Sequence, residues 1–275
     1  HLMIPTLFVL FEKYNVLNKI PQKLKVYLGE IYKLNEERNK VIIEESNEIS
    51  NLFNDNDIKF QFIKGVLNLR FNMYEKIGER MIGDIDLIIE KTKMNNAIDL
   101  LKKNNYSNKY EYKCWNTKHP PRFTNKKKLM AIEPHSRIFN KKEIYFEENK
   151  LYELEEIQYN QILSITILNY QINDFGYLKA SISYRTIHDV LIILKKSENI
   201  DLILKNKFIK KFFLLTNALK ITDVSLKTSM NDKIYLLRFL LKRKVYIFYI
   251  IDELICKMII EIPKKTFQFI EFIIN

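Results

Sequence analysis

Glycine, proline and cysteine are scarce in this chain of 275 residues, which has five, six and two of them. So few glycines argue against a Gly-rich phosphate loop, and neither G-x-x-x-x-G-K-S/T nor G-x-G-x-x-G occurs. Cys114 and Cys256 are far apart, which favours two reduced thiols over a metal motif or a disulfide framework. The scarcity of glycine and proline also predicts few long flexible linkers.

Long uninterrupted apolar runs are missing as well. The most apolar stretch, residues 245–260, contains Asp252, Glu253 and Lys257, so it is too short and too charged for a membrane span and predicts a buried helix. We interpret residues 1–3 as vector-derived and find no signal-peptide pattern. We therefore expect a cytoplasmic protein without a membrane partner.

Hydrophobic residues make up 47% of the chain, which is enough for a packed core, and the formal charge is +12. Residues 102–128, here called the basic segment, hold nine Lys or Arg residues against one acid, Glu111. A basic surface of this kind attracts a polyanion such as RNA. The alternative is a solvated loop that reflects coding bias, because the whole chain is rich in Lys, Asn and Ile.

The first half of the chain alternates between helical and strand patterns. We predict helices at 5–20, 22–35, 36–54, 66–74 and 93–104, strands at 58–64, 84–90, 106–113, 123–126 and 129–139, a turn at Gly65 and a loop at 75–83. The last two strands are expected to pair with each other.

From about residue 150 the patterns are helical throughout. The predicted helices are 157–169, 184–195, 201–205, 208–219, 232–241, 245–260 and 265–274. The predicted fold class is therefore α+β, a mixed sheet with flanking helices in residues 4–150, followed by a helical domain in residues 151–275.

Asp84 and Asp86 lie two residues apart at the start of a buried strand pattern. Residues i and i+2 of a strand point to the same face, so the two carboxylates project side by side. Their repulsion grows with burial, and a bound divalent cation relieves it. Mg²⁺ accepts hard oxygen ligands of this kind, with Mn²⁺ as an alternative, and the nearby Arg80 adds a cation suited to phosphate chemistry.

A third carboxylate, Glu133, lies on the later strand pattern at 129–139. If that strand pairs with the 84–90 strand, Glu133 joins Asp84 and Asp86, and three carboxylates can hold two Mg²⁺ ions. The alternative is an edge-strand acid that faces solvent. His135 shares the face of Glu133 and is either catalytic or a structural, second-shell histidine.

The order of these motifs resembles an uncharacterised bacterial nucleotidyltransferase family of the DNA polymerase β-like superfamily, which includes abortive-infection and MenT-type toxins. The resemblance covers residues 36–140 through Lys64-Gly65, the Arg80 loop, Asp84-Ile-Asp86, a His before Pro120 and the acid-x-His strand. It extends weakly to Arg185 and Asp189.

This resemblance implies metal-binding catalytic carboxylates at Asp84, Asp86 and Glu133 and a nucleoside triphosphate as substrate. It places Lys64 and Gly65 where better-known relatives have Gly-Ser, so that Lys64 would supply a point charge to the phosphates. We further predict that Arg80 and Arg185 contact the triphosphate. Arg80 could instead form a loop salt bridge to Asp84, and Asp189 either orients Arg185 or packs between the domains.

Three functions follow from these observations. The first is metal-dependent transfer of a nucleoside monophosphate to an acceptor hydroxyl, with RNA or a tRNA end favoured by the basic segment and a protein or small-molecule acceptor also open. The second is an inactive binding or antitoxin-like module with this fold and a protein partner. The third is an RNA-binding protein that uses its helical domain.

Overall fold

The computed structural model describes residues 2–108, 119–139 and 158–274, with 262–274 described as backbone only. It is α+β, as predicted, and divides into two compact units. The first unit comprises His1–Ile165 with Ile192–Lys196, and the second comprises Thr166–Leu191 with Ser197–Asn275. The domain boundary predicted at residue 150 lies outside the described residues and stays a prediction.

The helices and strands follow one another in this order. The first unit begins with α1 (Ile4–Lys13), α2 (Gln22–Asn54), β1 (Phe60–Phe62), α3 (Lys64–Arg70), β2 (Ile85–Ile89), a 3₁₀ turn (Lys91–Lys93), α4 (Met94–Lys103) and β3 (Ile132–His135). Then come α5 (Tyr159–Leu168), a π-helical turn (Asn169–Asn173), α6 (Tyr184–Leu194), α7 (Asp201–Leu204), α8 (Lys207–Ala218), α9 (Met230–Lys244) and α10 (Tyr246–Ile274).

Helix α2 is a single element of 33 residues where the sequence predicted two helices that meet at residue 35. Its buried face follows the helical period and includes polar side chains; its members are Leu28, Tyr32, Asn35, Asn39, Ile42, Glu45, Ser46, Ile49 and Phe53. The polar members broke the apolar stripe, so the continuity of the helix was missed. The predicted end of the helix at Asn54 is confirmed.

Asn35 and Asn39 explain why polar residues occupy that face. The Nδ2 group of Asn35 donates to the carbonyl of Gly78 at 2.7 Å, and that of Asn39 donates to the carbonyl of Arg80 at 2.9 Å. Buried amide hydrogen bonds of this type satisfy a loop that has no strand partner. The two asparagines therefore fix the loop that leads into β2.

The sheet has the order β1-β2-β3, with β1 antiparallel and β3 parallel to the central strand β2. Every residue of β2 is buried, as its run of Ile and Leu predicts. Strand β1 is shorter than the predicted 58–64. The predicted turn at Gly65 is wrong, because α3 begins at Lys64, whose φ is 61°, and Gly65 already lies within the helix.

Of the strand pair predicted at residues 123–126 and 129–139, the structure shows a single bridge. Phe123 and Ile132 form one isolated antiparallel bridge, and Ser107 and Thr124 form another. The buried carboxylate of Glu45 accepts hydrogen bonds from the backbone amides of residues 129 and 130, at 2.7 and 3.0 Å, which removes donors that a longer hairpin needs. Most of the strand predicted at 106–113 lies outside the described residues.

In the second unit, α8 and α9 pack around a core cluster of Ala180, Leu214, Leu215, Tyr235 and Phe239. Helix α10 merges two predicted helices, and the expectation that 245–260 is buried is wrong. Ile247 is 68% exposed and Leu254 56%, whereas Asp252 and Cys256 are buried. The buried face of this helix is its polar face, because Asp252 pairs with Arg238 and Lys242 of α9.

Within the described ranges, none of the helices combines the length and the hydropathy that a membrane span needs.

Candidate active site

Strands β2 and β3 bring the predicted acids together. They pair in parallel register, with Asp86 opposite Glu133 and Ile88 opposite His135. Directly opposed residues of neighbouring strands share a face of the sheet, and so do Glu133 and His135, two residues apart. The sequence analysis grouped Glu133 with Asp84 and Asp86 on the condition that the two strands pair. They do, because the Glu133 strand lies beside the strand that follows Asp84.

Asp86, Glu133 and His135 form a buried cluster. Nε2 of His135 lies 2.7 Å from Oδ1 of Asp86 and 3.7 Å from Oε2 of Glu133. One possible ligand atom from each of the three residues lies within 4.8 Å of the others. This spacing can hold a metal ion, and it places His135 among the possible ligands.

Two side chains, Lys64 and His135, bind the carboxylate of Asp86. The ammonium group of Lys64 forms an ion pair with its Oδ1 atom, and His135 forms a hydrogen bond to the same oxygen. Burial alone would raise the pKa of Asp86, but the His135 hydrogen bond and the Lys64 charge together hold it well below its usual range. Asp86 is therefore ionised and able to act as a ligand at neutral pH.

Asp84 lies just before β2 at the rim of this cluster and remains partly exposed. Burial, followed by repulsion from Asp86 and Glu133, raises the pKa of Asp84 to about 7. The site therefore carries negative charge that its own cations do not fully neutralise. That is the condition from which the sequence predicted a metal site.

Arg122 is the site residue that the sequence analysis did not single out. Its Nη2 atom lies 3.2 Å from Oε1 of Glu133 and 3.7 Å from Oδ2 of Asp84. A signal was present, because Arg122 is the only arginine among the nine cations of the basic segment. In a lysine-rich chain, an arginine marks a place where a planar fork of donors has specific partners.

The segment before Arg122 also reaches the cluster. The imidazole rings of His119 and His135 meet edge to face, with their centroids 4.7 Å apart. His119 is the histidine before Pro120 that forms part of the family resemblance, and its ring contacts the buried His135.

The remaining predicted residues are more dispersed. Gly65 packs so closely on Ile82 that a Cβ atom would lie 3.2 Å from its Cγ1. Arg80 is buried and donates to the carbonyl of Met81 at 2.5 Å. Arg185 and Asp189 lie on α6 in the second unit. The triphosphate contacts of Arg80 and Arg185 and the orienting role of Asp189 stay predictions.

Comparison with known proteins gives one match. A family model described as "Uncharacterised nucleotidyltransferase" matches residues 1–166, three-fifths of the chain. No curated protein and no solved structure matches significantly. The matched region contains all three strands, Lys64, Arg122 and the acidic cluster.

Proposed function

The chain belongs to the uncharacterised nucleotidyltransferase family, and on that premise we propose that it transfers a nucleoside monophosphate from a nucleoside triphosphate to an acceptor hydroxyl and releases pyrophosphate. The observation that carries this proposal is the parallel pairing of Asp86 with Glu133, which gathers the acids of two distant segments on one face. Phosphoryl transfer relies on positioning and charge neutralisation, and this arrangement supports both.

The donor set fits a divalent metal ion. Asp86 and Glu133 offer carboxylate oxygens, which suit Mg²⁺, and His135 offers a nitrogen that makes Mn²⁺ a good alternative. Asp84 completes the proposed set from the rim. A divalent ion held here would neutralise charge on the triphosphate and the attacking oxygen.

The protein's own groups prepare this site. Before a metal ion binds, the hydrogen bond between His135 and Asp86 holds the carboxylate in place, and the Asn35 and Asn39 amides fix the loop before β2. Lys64, next to Asp86, is a candidate triphosphate contact because it is the cation nearest the acid. Arg80 and Arg185 remain further candidates from the family resemblance.

We propose RNA, with a tRNA end as one form, as the acceptor. Lys126 and Lys127 are exposed in the basic segment, six residues or more before Glu133 in the chain. Cations near the catalytic acids would raise the local concentration of a polyanion. A protein or small-molecule hydroxyl is the alternative acceptor.

The test is transfer of label. The protein is incubated with each of four α-labelled nucleoside triphosphates, Mg²⁺ or Mn²⁺, and total RNA or cell protein, with Asp86→Asn as the matched control. We expect label on a macromolecule with the wild-type protein and none with the variant. Triphosphate binding without consumption under every condition would instead support the inactive binding module.

A further inference from the structure

Two of the chain's own cations, Lys64 and Arg122, lie on the acids that are proposed to hold metal. We propose that Arg122 is a displaceable occupant of this site: it pairs with Asp84 and Glu133 in the metal-free protein and leaves them for the triphosphate when metal and nucleotide bind together. This inference rests on the proposed function. It makes Arg122 the link between metal binding and substrate binding.

The geometry shows why Arg122 and a metal ion compete. One nitrogen of Arg122, Nη2, bridges Oε1 of Glu133 and Oδ2 of Asp84, at 3.2 and 3.7 Å. The other oxygen of Glu133 faces His135. An ion that binds both Asp84 and Glu133 needs the space that the guanidinium occupies, because like charges cannot share it.

The two cations differ in how easily they can move. The Arg122 side chain is 58% exposed, and an exposed ion pair contributes little free energy, so little is lost when it separates from the acids. The Lys64 side chain is 26% exposed and pairs with a buried carboxylate, and breaking such a pair costs more. Arg122 is therefore the cation that yields first.

The backbone on either side of Arg122 keeps its side chain close to the site. Pro120 and Pro121 restrict the chain before it. After it, the buried Phe123 exchanges two backbone hydrogen bonds with Ile132, both 2.8 Å long. A displaced guanidinium thus stays within side-chain reach of the acids. Its planar fork suits phosphate oxygens.

This arrangement predicts that metal alone binds weakly and that metal and triphosphate bind cooperatively. Without a phosphate to receive it, Arg122 competes with the metal. With a phosphate present, the same guanidinium contributes to binding. The two ligands are then coupled through one side chain, and coupling of this type is commonly about 5- to 150-fold.

The experiment measures free Mn²⁺ by electron paramagnetic resonance while the protein is titrated, first alone and then with inorganic triphosphate. Arg122→Gln should bind Mn²⁺ alone roughly tenfold more tightly than wild type, and Mn²⁺ with triphosphate roughly tenfold more weakly. Arg122→Lys keeps the charge and should retain weak binding of Mn²⁺ alone. Lys59→Gln, which removes an exposed charge before β1, should match wild type in both titrations.

The outcomes separate this inference from the proposed function. If Arg122→Gln binds Mn²⁺ alone no more tightly than wild type, while the wild-type protein still transfers nucleotide, only the role of Arg122 is overturned. If the wild-type protein, Arg122→Gln and Arg122→Lys all fail to bind Mn²⁺ or triphosphate, the proposed function and the inference both fail. Thermal unfolding of each variant establishes that it is folded.

Discussion

The two units both bury carboxylates, but they surround them differently. In the second unit, Asp252 pairs with Nε and Nη2 of Arg238, at 2.5 and 3.0 Å, and with Lys242 at 2.8 Å. Burial alone would raise the pKa of Asp252, but these partners hold it below its usual value. Its charge is fully compensated.

Asp232 repeats that pattern in the same unit. It caps α9 in a capping box with Ser229 and pairs with Lys210 and Lys211, at 2.7 and 2.8 Å. Burial opposes its ionisation, yet the lysine hydrogen bonds leave the pKa of Asp232 well below its usual range. Asp232 and Asp252, two buried acids of the second unit, are thus paired with two cations each.

The acids of the first unit are not matched in this way. The pKa of Asp84 rises to about 7, although Lys64 and Arg122 are both nearby. A cluster that keeps excess charge at a cost in stability is more typical of a functional site than of a structural one. The ion pairs of the second unit stabilise the fold, whereas the acids of the first unit carry charge that a bound ligand can neutralise.

The substitution Asp86→Asn is the strongest test of this difference between the two units. It removes a proposed metal-ligating charge and should lower nucleotide transfer by at least about 10²- to 10³-fold, because stabilisation of transition-state charge is lost. The protein should still fold, because asparagine keeps the size of the side chain, although the loss of the ion pair with Lys64 should lower its stability. Transfer assays and circular dichroism measure the two effects, and activity close to wild type would refute the assignment.

In the second unit the matching substitution should act on stability instead. Asp252→Asn leaves Arg238 and the largely buried Lys242 without their shared carboxylate and should cost about 3 kcal/mol of unfolding free energy. Urea denaturation measures it. Asp223→Asn, on an exposed acid of the same unit, should change stability by less than about 0.5 kcal/mol. Equal effects of the two substitutions would contradict the structural role of Asp252.

Asp84→Asn should have the opposite sign. The pKa of Asp84 is raised in the folded protein, so its ionisation costs stability above about pH 4, and the cost is complete above about pH 7. In metal-free buffer the variant should therefore be more stable than wild type at pH 8. The gain should be about 1–2 kcal/mol, which is less than the pKa shift alone implies, because the Asp84 carboxyl is partly exposed to solvent. At pH 4 the two proteins should melt together. A gain that does not depend on pH would exclude charge repulsion as its cause.

Substitution of exposed lysines in the basic segment should have the smallest effect of these predictions. Replacing Lys126, Lys127 and Lys128 with Gln should weaken RNA binding several-fold and reduce its salt slope by about 1–2. Lys128 contributes least, because it already pairs with Glu48. Filter binding at several salt concentrations measures both quantities. An unchanged slope would remove the basic segment as the acceptor site and favour a protein or small-molecule acceptor.

The sequence analysis predicted those helices and strands in which apolar residues recur at the period of the element. The buried strand after Asp84 is found in the structure, as its run of Ile and Leu predicts, and the Glu133 strand lies beside it, which is the pairing on which the role of Glu133 was made to depend. Helix α2 was divided because Asn35 and Asn39 interrupt its stripe. Their reason for being buried, hydrogen bonds to a loop 38 to 45 residues away, is invisible locally.

The parts of the site that were missed depend on the tertiary fold in the same way. Arg122 meets Asp84 and Glu133 only once the chain between β2 and β3 has crossed over. Helix α10 was expected to be buried because its composition is apolar. Its ion pairs with α9 instead orient the polar face inward.

The order of the site residues along the chain also has a consequence for folding during synthesis. Lys64, 22 residues before Asp86, is synthesised ahead of that acid, whereas His135 follows it by 49 residues. Closing the shorter loop costs less entropy. On the ribosome, Asp86 can thus gain its lysine before Glu133 and His135 have emerged. We expect the nascent chain to form the ion pair between Lys64 and Asp86 before the segment that carries Glu133 and His135 is available to pair with it.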